Sequence, residues 1–104
     1  MNYSFHTAAR LEFLEAIIYY EDCRTGLGLD FSREVYSSIN RITQFPHAWS
    51  ELSEDTRRCL TTRFPYGLIY QIIDEYILII AVTQLNREPG YSSKMIATTR
   101  VGRN

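Results

Sequence analysis

The chain has 104 residues, of which 45% are hydrophobic and 22% charged, and its formal net charge is −1. This composition is typical of one globular domain and excludes a disordered chain. The longest apolar run, 76–82, is far shorter than the about 20 residues that a membrane helix needs. The first residues also lack the charged and apolar segments of a secretory signal, so we expect a cytoplasmic protein.

The first half of the chain predicts a short strand and a helical hairpin. Residues 3–5 alternate in polarity like a strand, and Thr7 is the predicted N-cap of a helix that runs to about Arg24. At helical spacing, the apolar face of this helix comprises Leu11, Phe13, Leu14, Ile17 and Ile18. Gly26 and Gly28 interrupt the pattern and predict the turn between two helices.

A second helix is predicted over 29–45 because apolar residues again recur at intervals of three and four. Its core stripe consists of Phe31, Val35, Ile39 and Ile42. Pro46 ends it, since proline cannot continue the hydrogen-bonded ladder. The polar and acidic residues that follow, up to Asp55, predict a loop.

After this loop, apolar and polar side chains alternate with a period of two residues. This alternation predicts strands over 57–64, 68–73 and 76–83. In the first of them, Leu60 and Phe64 suggest a core face, so the opposite face with Arg57 and Arg63 is expected to be uncovered. The predicted order is β-α-α-β-β-β. We therefore expect a two-layer α+β fold, with the helical hairpin packed on a small antiparallel sheet and the first strand at an edge or beside the last.

Charge divides the chain unevenly: residues 1–56 carry −5 and residues 57–104 carry +4. Ten of the eleven cations are arginine, whose planar guanidinium binds carboxylate or phosphate in bidentate fashion. The cluster that this singles out comprises Arg57, Arg58, Arg63, Arg87 and Tyr91. It predicts either a surface for an anionic contact or an arginine-rich rim that pairs with the acids of residues 51–55.

Other chemistry finds little support in the sequence. The Gly26-x-Gly28 pair follows a helix and lacks the third glycine of a dinucleotide loop. His6 and His47 have no nucleophile placed near them, and two cysteines are too few for a zinc site or a disulfide framework. Cys59 lies near cations that would lower its pKa, although a buried structural thiol is the simpler interpretation. We expect no cofactor and no metal.

Two segments resemble the RelE/ParE toxin superfamily. Residues 57–70, RRCLTTRFPYGLIY, resemble its second and third strands, and residues 79–91, IIAVTQLNREPGY, resemble its last strand and the arginine-proline-tyrosine end. The glycine junction at 26–31 is also typical, and the resemblance covers about residues 3–91. It implies a single toxin domain over 1–91, followed by a polar tail over 92–104 that we expect to be frayed.

The resemblance implies the growth-inhibiting toxin of a prokaryotic type II toxin–antitoxin pair, of the kind that stabilises plasmids. Its partner would be a small ParD-like or RelB-like antitoxin whose flexible segment folds on the toxin in a hetero-oligomer. The charge division further predicts that the antitoxin combines an apolar helix with acidic residues. No membrane contact is expected.

The two branches of the superfamily differ in target. RelE-like members cut mRNA on the ribosome, which requires proton carriers and cations. Arg87 and Tyr91 match that pattern. The departures from it are Gly67 in place of a third-strand arginine, Thr61 and Thr62 in place of lysines, and Gln84 in place of a frequent histidine.

We therefore favour the ParE-like branch, whose members inhibit DNA gyrase by binding. The target-binding residues are then Arg57, Arg63, Arg87 and Tyr91, and no residue is assigned as catalytic. The first alternative is a ribosome-dependent endoribonuclease that uses Arg63, Arg87 and Tyr91. The second is a degenerate member that binds only an antitoxin.

Overall fold

Two helices pack on one face of a five-stranded sheet, which confirms the predicted two-layer α+β fold. The structure is a computed structural model that describes residues 1–85. Its elements are β1 (Asn2–Phe5), α1 (Thr7–Cys23), α2 (Leu27–Gln44), β2 (Ser50–Ser53), β3 (Thr56–Leu60), β4 (Tyr66–Ile73) and β5 (Tyr76–Gln84). Neither helix within these residues is long and apolar enough to cross a membrane.

The strand order across the sheet is β1-β5-β4-β3-β2. The predicted meander is confirmed, because β3, β4 and β5 pair antiparallel in sequence order. The first strand lies at an edge beside the last, as predicted, but it runs parallel to β5 and makes the sheet mixed. Parallel pairing needs a long connection between the strands, and the helical hairpin supplies it.

Strand β2 occupies part of the segment that we predicted as a loop. It pairs antiparallel with β3 through a bulge between Glu51 and Ser53. All four of its residues are exposed, so the sequence carries no alternation of apolar and polar residues that would reveal it. Strand β3 is also shorter than predicted, because the Thr61 hydroxyl donates to the carbonyls of Phe64 and Tyr66 and closes a turn.

The hairpin turn is built around two glycines and one carboxylate. Gly26 has φ +90°, a conformation that residues with a Cβ rarely adopt. The Glu21 carboxylate at the end of α1 accepts the backbone N–H groups of Gly26 and Gly28 at 2.9 and 3.1 Å. It thereby satisfies N–H groups at the start of α2, which begins two residues before the predicted position. The predicted stripe of α2 is confirmed, since Phe31, Val35, Ile39 and Ile42 are all buried.

The predicted core face of helix α1 is correct for Phe13, which is buried, and for Ile17, which packs against the core, but wrong for the other three residues. Its buried residues are Ala9, Phe13 and Ala16. Leu11, Leu14 and Ile18 lie on the outer side and are 56, 47 and 61% exposed. Helix α1 is apolar on both sides, so hydrophobic spacing alone does not select the buried one. The N-cap is His6, whose Nδ1 accepts the Ala8 N–H at 3.1 Å, and Thr7 is the first helical residue.

Aromatic rings fill the core between the two layers. The fully buried Phe31 ring lies 4.9 to 6.0 Å, centroid to centroid, from the rings of four other residues. These are Phe13, Tyr20, Phe64 and Tyr66. Cys59 is fully buried in the same core, and burial raises the pKa of its thiol although Arg41 acts in the other direction. Cys59 is therefore a structural residue and not an activated nucleophile.

Candidate partner-binding surface on the open sheet face

The helices cover only one face of the sheet. Cys59, Leu68 and Tyr70 are fully buried beneath them. Alternate residues of the strands therefore point away from the helices. We call this side the open face; it comprises Arg58, Leu60, Gly67, Ile69, Leu78, Ala81 and Thr83.

The predicted faces of the first meander strand are therefore reversed. Leu60, which we took for a core residue, is 47% exposed, whereas Cys59 beside it is fully buried. Phe64 is buried as predicted, but it lies in the turn after β3. Since Arg57 shares a strand side with Cys59, it points toward the helix layer, and Arg58 is the arginine of β3 on the open face.

Arg58 lies across the glycine of the neighbouring strand. A Cβ added to Gly67 would lie 3.3 Å from both Cγ and Cδ of Arg58, so the absence of a side chain there makes room for the arginine stem. Leu85 approaches from the other side, with its Cδ2 at 3.2 Å from the same position. Within residues 1–85, no acidic side chain pairs with Arg58. Arg58 as a whole is partly buried.

Arg57 is held by the protein itself. Its Nη1 donates to the carbonyls of His47 and Trp49 at 3.1 and 2.8 Å, and its Nη2 lies 3.5 Å from the Glu51 carboxylate. Its side chain is only 19% exposed. The alternative that we left open, an arginine rim paired with the acids of 51–55, is therefore correct for Arg57.

Arg63 lies in the turn between β3 and β4. Its guanidinium is 3.8 Å from an Asp30 carboxylate oxygen and 5.4 Å from the centre of the Phe64 ring. Its side chain is 59% exposed, so these contacts orient it without enclosing it. The structure does not bring Arg57 and Arg63 together on one face. Arg87 and Tyr91 lie outside the described residues, after Leu85.

The turn that carries Arg63 is fastened to α2 by one carboxylate. Glu34 accepts the Thr62 N–H at 2.7 Å and the Thr62 hydroxyl at 2.5 Å. The hydrogen bond from the Thr62 hydroxyl is the main cause that lowers the pKa of Glu34. Thr62 thus has a structural role in this chain.

We expect Glu34→Gln to lower the free energy of unfolding by about 0.5 to 1 kcal/mol at pH 7, because two hydrogen bonds lose their charged acceptor. The lowered pKa means that the carboxylate stabilises the fold above the pKa it has in the unfolded chain. That stabilisation is lost as the pH falls through the folded-state pKa. Urea denaturation measures the free energy of unfolding of wild type and variant at pH 7 and at pH 3. The difference between the two proteins should be smaller at pH 3. Glu54→Gln, at an exposed turn, is the matched control, and a difference that grows in acid would contradict the assignment.

The described part of the open face offers a cation and apolar surface but no acid or base. The two histidines lie elsewhere: His6 caps α1 and His47 lies in the loop after α2. Tyr70 points into the core, donates to the Pro46 carbonyl at 2.6 Å, and burial raises its pKa to about 12. No group of three histidine, cysteine or acidic residues within 1–85 is placed to hold a metal ion. This surface is suited to binding an anionic or partly apolar partner.

Comparison with solved structures identifies the fold. A chain of the chromosomal ParDE toxin–antitoxin system from P. aeruginosa superposes with a TM-score of 0.73 at 11% identity, covering 83% of this chain and 97% of that one. The isolated E. coli RelE toxin superposes with a TM-score of 0.62 at 20% identity, and the match covers 96% of this chain and 97% of the RelE chain. A chain of the intact E. coli RelBE toxin–antitoxin complex also gives 0.62, at 18% identity, over 83% of this chain and 98% of that one.

This is the fold of the RelE/ParE toxins. The fold that the resemblance in the strands implies is thereby found in the described architecture. No protein-family model and no curated protein sequence matches the chain. At 11 to 20% identity, the RelE/ParE likeness establishes the shape of the chain and not its target.

Proposed function

We propose that this protein is the toxin of a type II toxin–antitoxin pair and that it acts by binding DNA gyrase. The RelE/ParE fold supports the toxin assignment, and the antitoxin would be its stable partner in a hetero-oligomer. The proposed contact residues are Arg58 on the open face, Arg63 in the turn between β3 and β4, and Arg87 and Tyr91 in the residues after β5. Arg57, which we also predicted as a contact, would serve this surface by holding the loop before β2.

We favour binding over catalysis because of one observation. In the described part of the open face, Arg58 is the charged group, and no histidine or carboxylate lies beside it. Cleavage of RNA needs a group that removes the 2′-hydroxyl proton, and an arginine cannot do so at neutral pH. Arg58 instead packs its aliphatic stem on Gly67 and has Leu60 and Ile69 beside it. A cation among apolar residues is typical of the centre of a protein interface.

The proposal is tested by adding the purified protein to gyrase, relaxed plasmid and ATP. We expect loss of supercoiling and accumulation of cleaved DNA, both reversed by the cognate antitoxin. Arg58→Glu should weaken this inhibition by about tenfold or more, because it reverses the charge at the centre of the surface. Arg33→Glu, the same change at an exposed position of α2, should alter it by less than about twofold.

The two alternative functions predict different results in assays of gyrase, translation and growth. A protein that leaves gyrase untouched but cuts mRNA in a translating extract is the endoribonuclease. A protein that binds the antitoxin but does not slow growth when expressed alone is the degenerate member. Equal losses for Arg58→Glu and Arg33→Glu would remove the open face from the proposal.

A further inference from the structure

Helix α1 exposes a stripe of large apolar side chains on the side opposite the core. Leu11, Leu14 and Ile18 are 56, 47 and 61% exposed, whereas Phe13 on the core side is 4% exposed. Seven residues make nearly two helical turns, so Leu11 and Ile18 lie almost in line along the helix and Leu14 lies between them. We call these three residues the α1 stripe. Apolar surface that is contiguous and rimmed by polar residues is typical of a site where another protein binds.

The spacing of the α1 stripe is that of a two-stranded coiled coil. Leu11, Leu14 and Ile18 follow one another at intervals of three and four residues, which are the a, d and a positions of a heptad. A β-branched residue at a with leucine at d favours pairs of parallel helices, and Ile18 and Leu14 match this preference. Packing on the sheet already forms α1 in the monomer, so association does not have to order the helix.

Charged residues of opposite sign flank the α1 stripe. Arg10 lines a cleft beside Tyr36 of α2, and Glu15 lines a cleft beside Gln84 of β5, so the two charges lie on opposite flanks. Both residues are exposed, and neither forms an ion pair within residues 1–85. Their separation of five residues places them too far round the helix to pair with each other. They occupy the g and e positions, where coiled coils form ion pairs between helices.

The signs of these charges select a second copy of this chain in parallel orientation. When two copies of α1 lie side by side in the same direction about a two-fold axis, Arg10 of each faces Glu15 of the other. Symmetry makes this two ion pairs. In an antiparallel pair like flanks meet, so Glu15 and Asp22 of one copy would face the same acids of the other. The charges therefore favour the parallel pair.

Two acids lie near the carboxyl end of the α1 stripe. The Glu21 carboxylate accepts the N–H groups of Gly26 and Gly28, so it is turned toward α2. Asp22 is exposed and lies one turn beyond Ile18. Neither acid therefore places a like charge inside the parallel seam.

We propose that the protein forms a symmetric dimer in which the α1 stripes of two copies pack in parallel. Leu11, Leu14 and Ile18 each meet the same residue of the second copy, and Arg10 pairs with Glu15 of the second copy on both sides. The seam is short, because Leu11 and Ile18 are only about 11 Å apart along the helix axis. A contact of this size gives weak, reversible association, and we expect half of the protein to be dimeric at about 100 μM. The inference does not depend on which target the toxin has.

Sedimentation equilibrium of the full chain from about 1 μM to about 1 mM tests the dimer. Ile18→Glu should be monomeric throughout, because it places two like charges in the seam, and circular dichroism should show an unchanged fold since the side chain is exposed. Ile73→Glu is the matched control, the same change at an exposed residue that ends β4, and it should alter self-association by less than about twofold.

Three results of that experiment would overturn the proposal. The first is a wild-type chain that stays monomeric at about 1 mM. The second is an equal loss of self-association for Ile18→Glu and Ile73→Glu. The third is a monomeric wild type whose Ile18→Glu variant no longer binds the antitoxin, which would assign the α1 stripe to the antitoxin.

A mixture of two charge variants tests the ion pairs. Arg10→Glu and Glu15→Arg should each weaken self-association by about tenfold or more, because each brings like charges together across the seam. An equimolar mixture of the two variants should associate at least as well as wild type, since each variant supplies the charge that the other lacks. A mixture that associates no better than the separate variants would contradict the proposed pairing.

Cysteine cross-linking tests the orientation. In a Cys23→Ser background, Leu11→Cys and Ile18→Cys should each form a disulfide between two chains on mild oxidation, because a parallel pair places each residue beside its own copy. In an antiparallel pair like residues meet at one point only, so at most one of the two variants would cross-link. Cross-linking at one position or at neither would overturn the proposal. Gyrase is absent from all these measurements, so their failure is distinguishable from failure of the proposed function.

Discussion

Replacing Phe31 with alanine should lower the free energy of unfolding by about 3–5 kcal/mol, a large share of the total stability of a domain this size. The ring, which belongs to α2, is fully buried and contacts aromatic rings from α1 and from the start of β4. Its loss removes the transfer free energy of the side chain and leaves a cavity that rigid neighbouring rings cannot fill. Urea denaturation followed by the fluorescence of Trp49, the single tryptophan, measures the change.

The matched control for this variant is Phe45→Ala. Phe45 follows α2 directly and is 62% exposed, so the same chemical change should cost less than about 0.5 kcal/mol. Similar losses at the two positions would mean that Phe31 does not occupy the centre of the core.

Gly28→Ala should destabilise the protein by about 2 kcal/mol, although alanine normally favours a helix over glycine by about 1 kcal/mol. A Cβ at Gly28 would lie 2.7 Å from the backbone carbonyl oxygen of Ile17 and 3.0 Å from a carboxylate oxygen of Glu21. The first contact is to backbone, so α1 and α2 would have to separate. Separation would also stretch the hydrogen bonds by which Glu21 caps α2.

Gly26→Ala distinguishes steric conflict from backbone strain. Nothing lies within 4 Å of a Cβ at Gly26, but its φ of +90° is unfavourable for alanine. We expect a loss of about 1 kcal/mol there, and Gly26→Asn should recover part of it because asparagine tolerates positive φ. Thermal or urea unfolding of the three variants gives the comparison. If Gly28→Ala proved stabilising, the two helices would have to lie further apart than in this structure.

The sequence predicted the fold wherever its pattern had a single interpretation. The stripe of α2 is amphipathic, so its spacing identified the buried side correctly. Helix α1 presents Leu11, Leu14 and Ile18 to solvent and places alanines beside Phe13 in the core, so the same rule identified its buried face only in part. Strand β2 has no buried residue and left no pattern to detect.

The residues of the candidate site stay a prediction, and the structure arranges the described ones differently from the sequence interpretation. The sequence identified an arginine cluster after residue 56, and Arg63 is indeed exposed there. It assigned Arg57 to the open face in place of Arg58, because we counted the strand through to Phe64 and took Leu60 as core. The early end of β3 at a turn closed by Thr61 is the feature that reverses this assignment. Successive side chains of a strand lie on opposite faces of the sheet. Assigning one residue to the wrong face therefore assigns every other residue of the strand to the wrong face as well.

By itself, the sequence determined the layers, the order of the elements apart from β2, and the family resemblance, because these depend on local periodicity and on motifs that are contiguous in the chain. Only the tertiary structure decided which arginine of β3 has no acidic partner within residues 1–85 and which face of α1 is buried. Arg57 is enclosed by backbone carbonyls of the loop before β2 and by Glu51 of that strand, while Arg58, one residue away, lies over a glycine of β4. Those contacts join segments that are separate in sequence, so no local pattern records them.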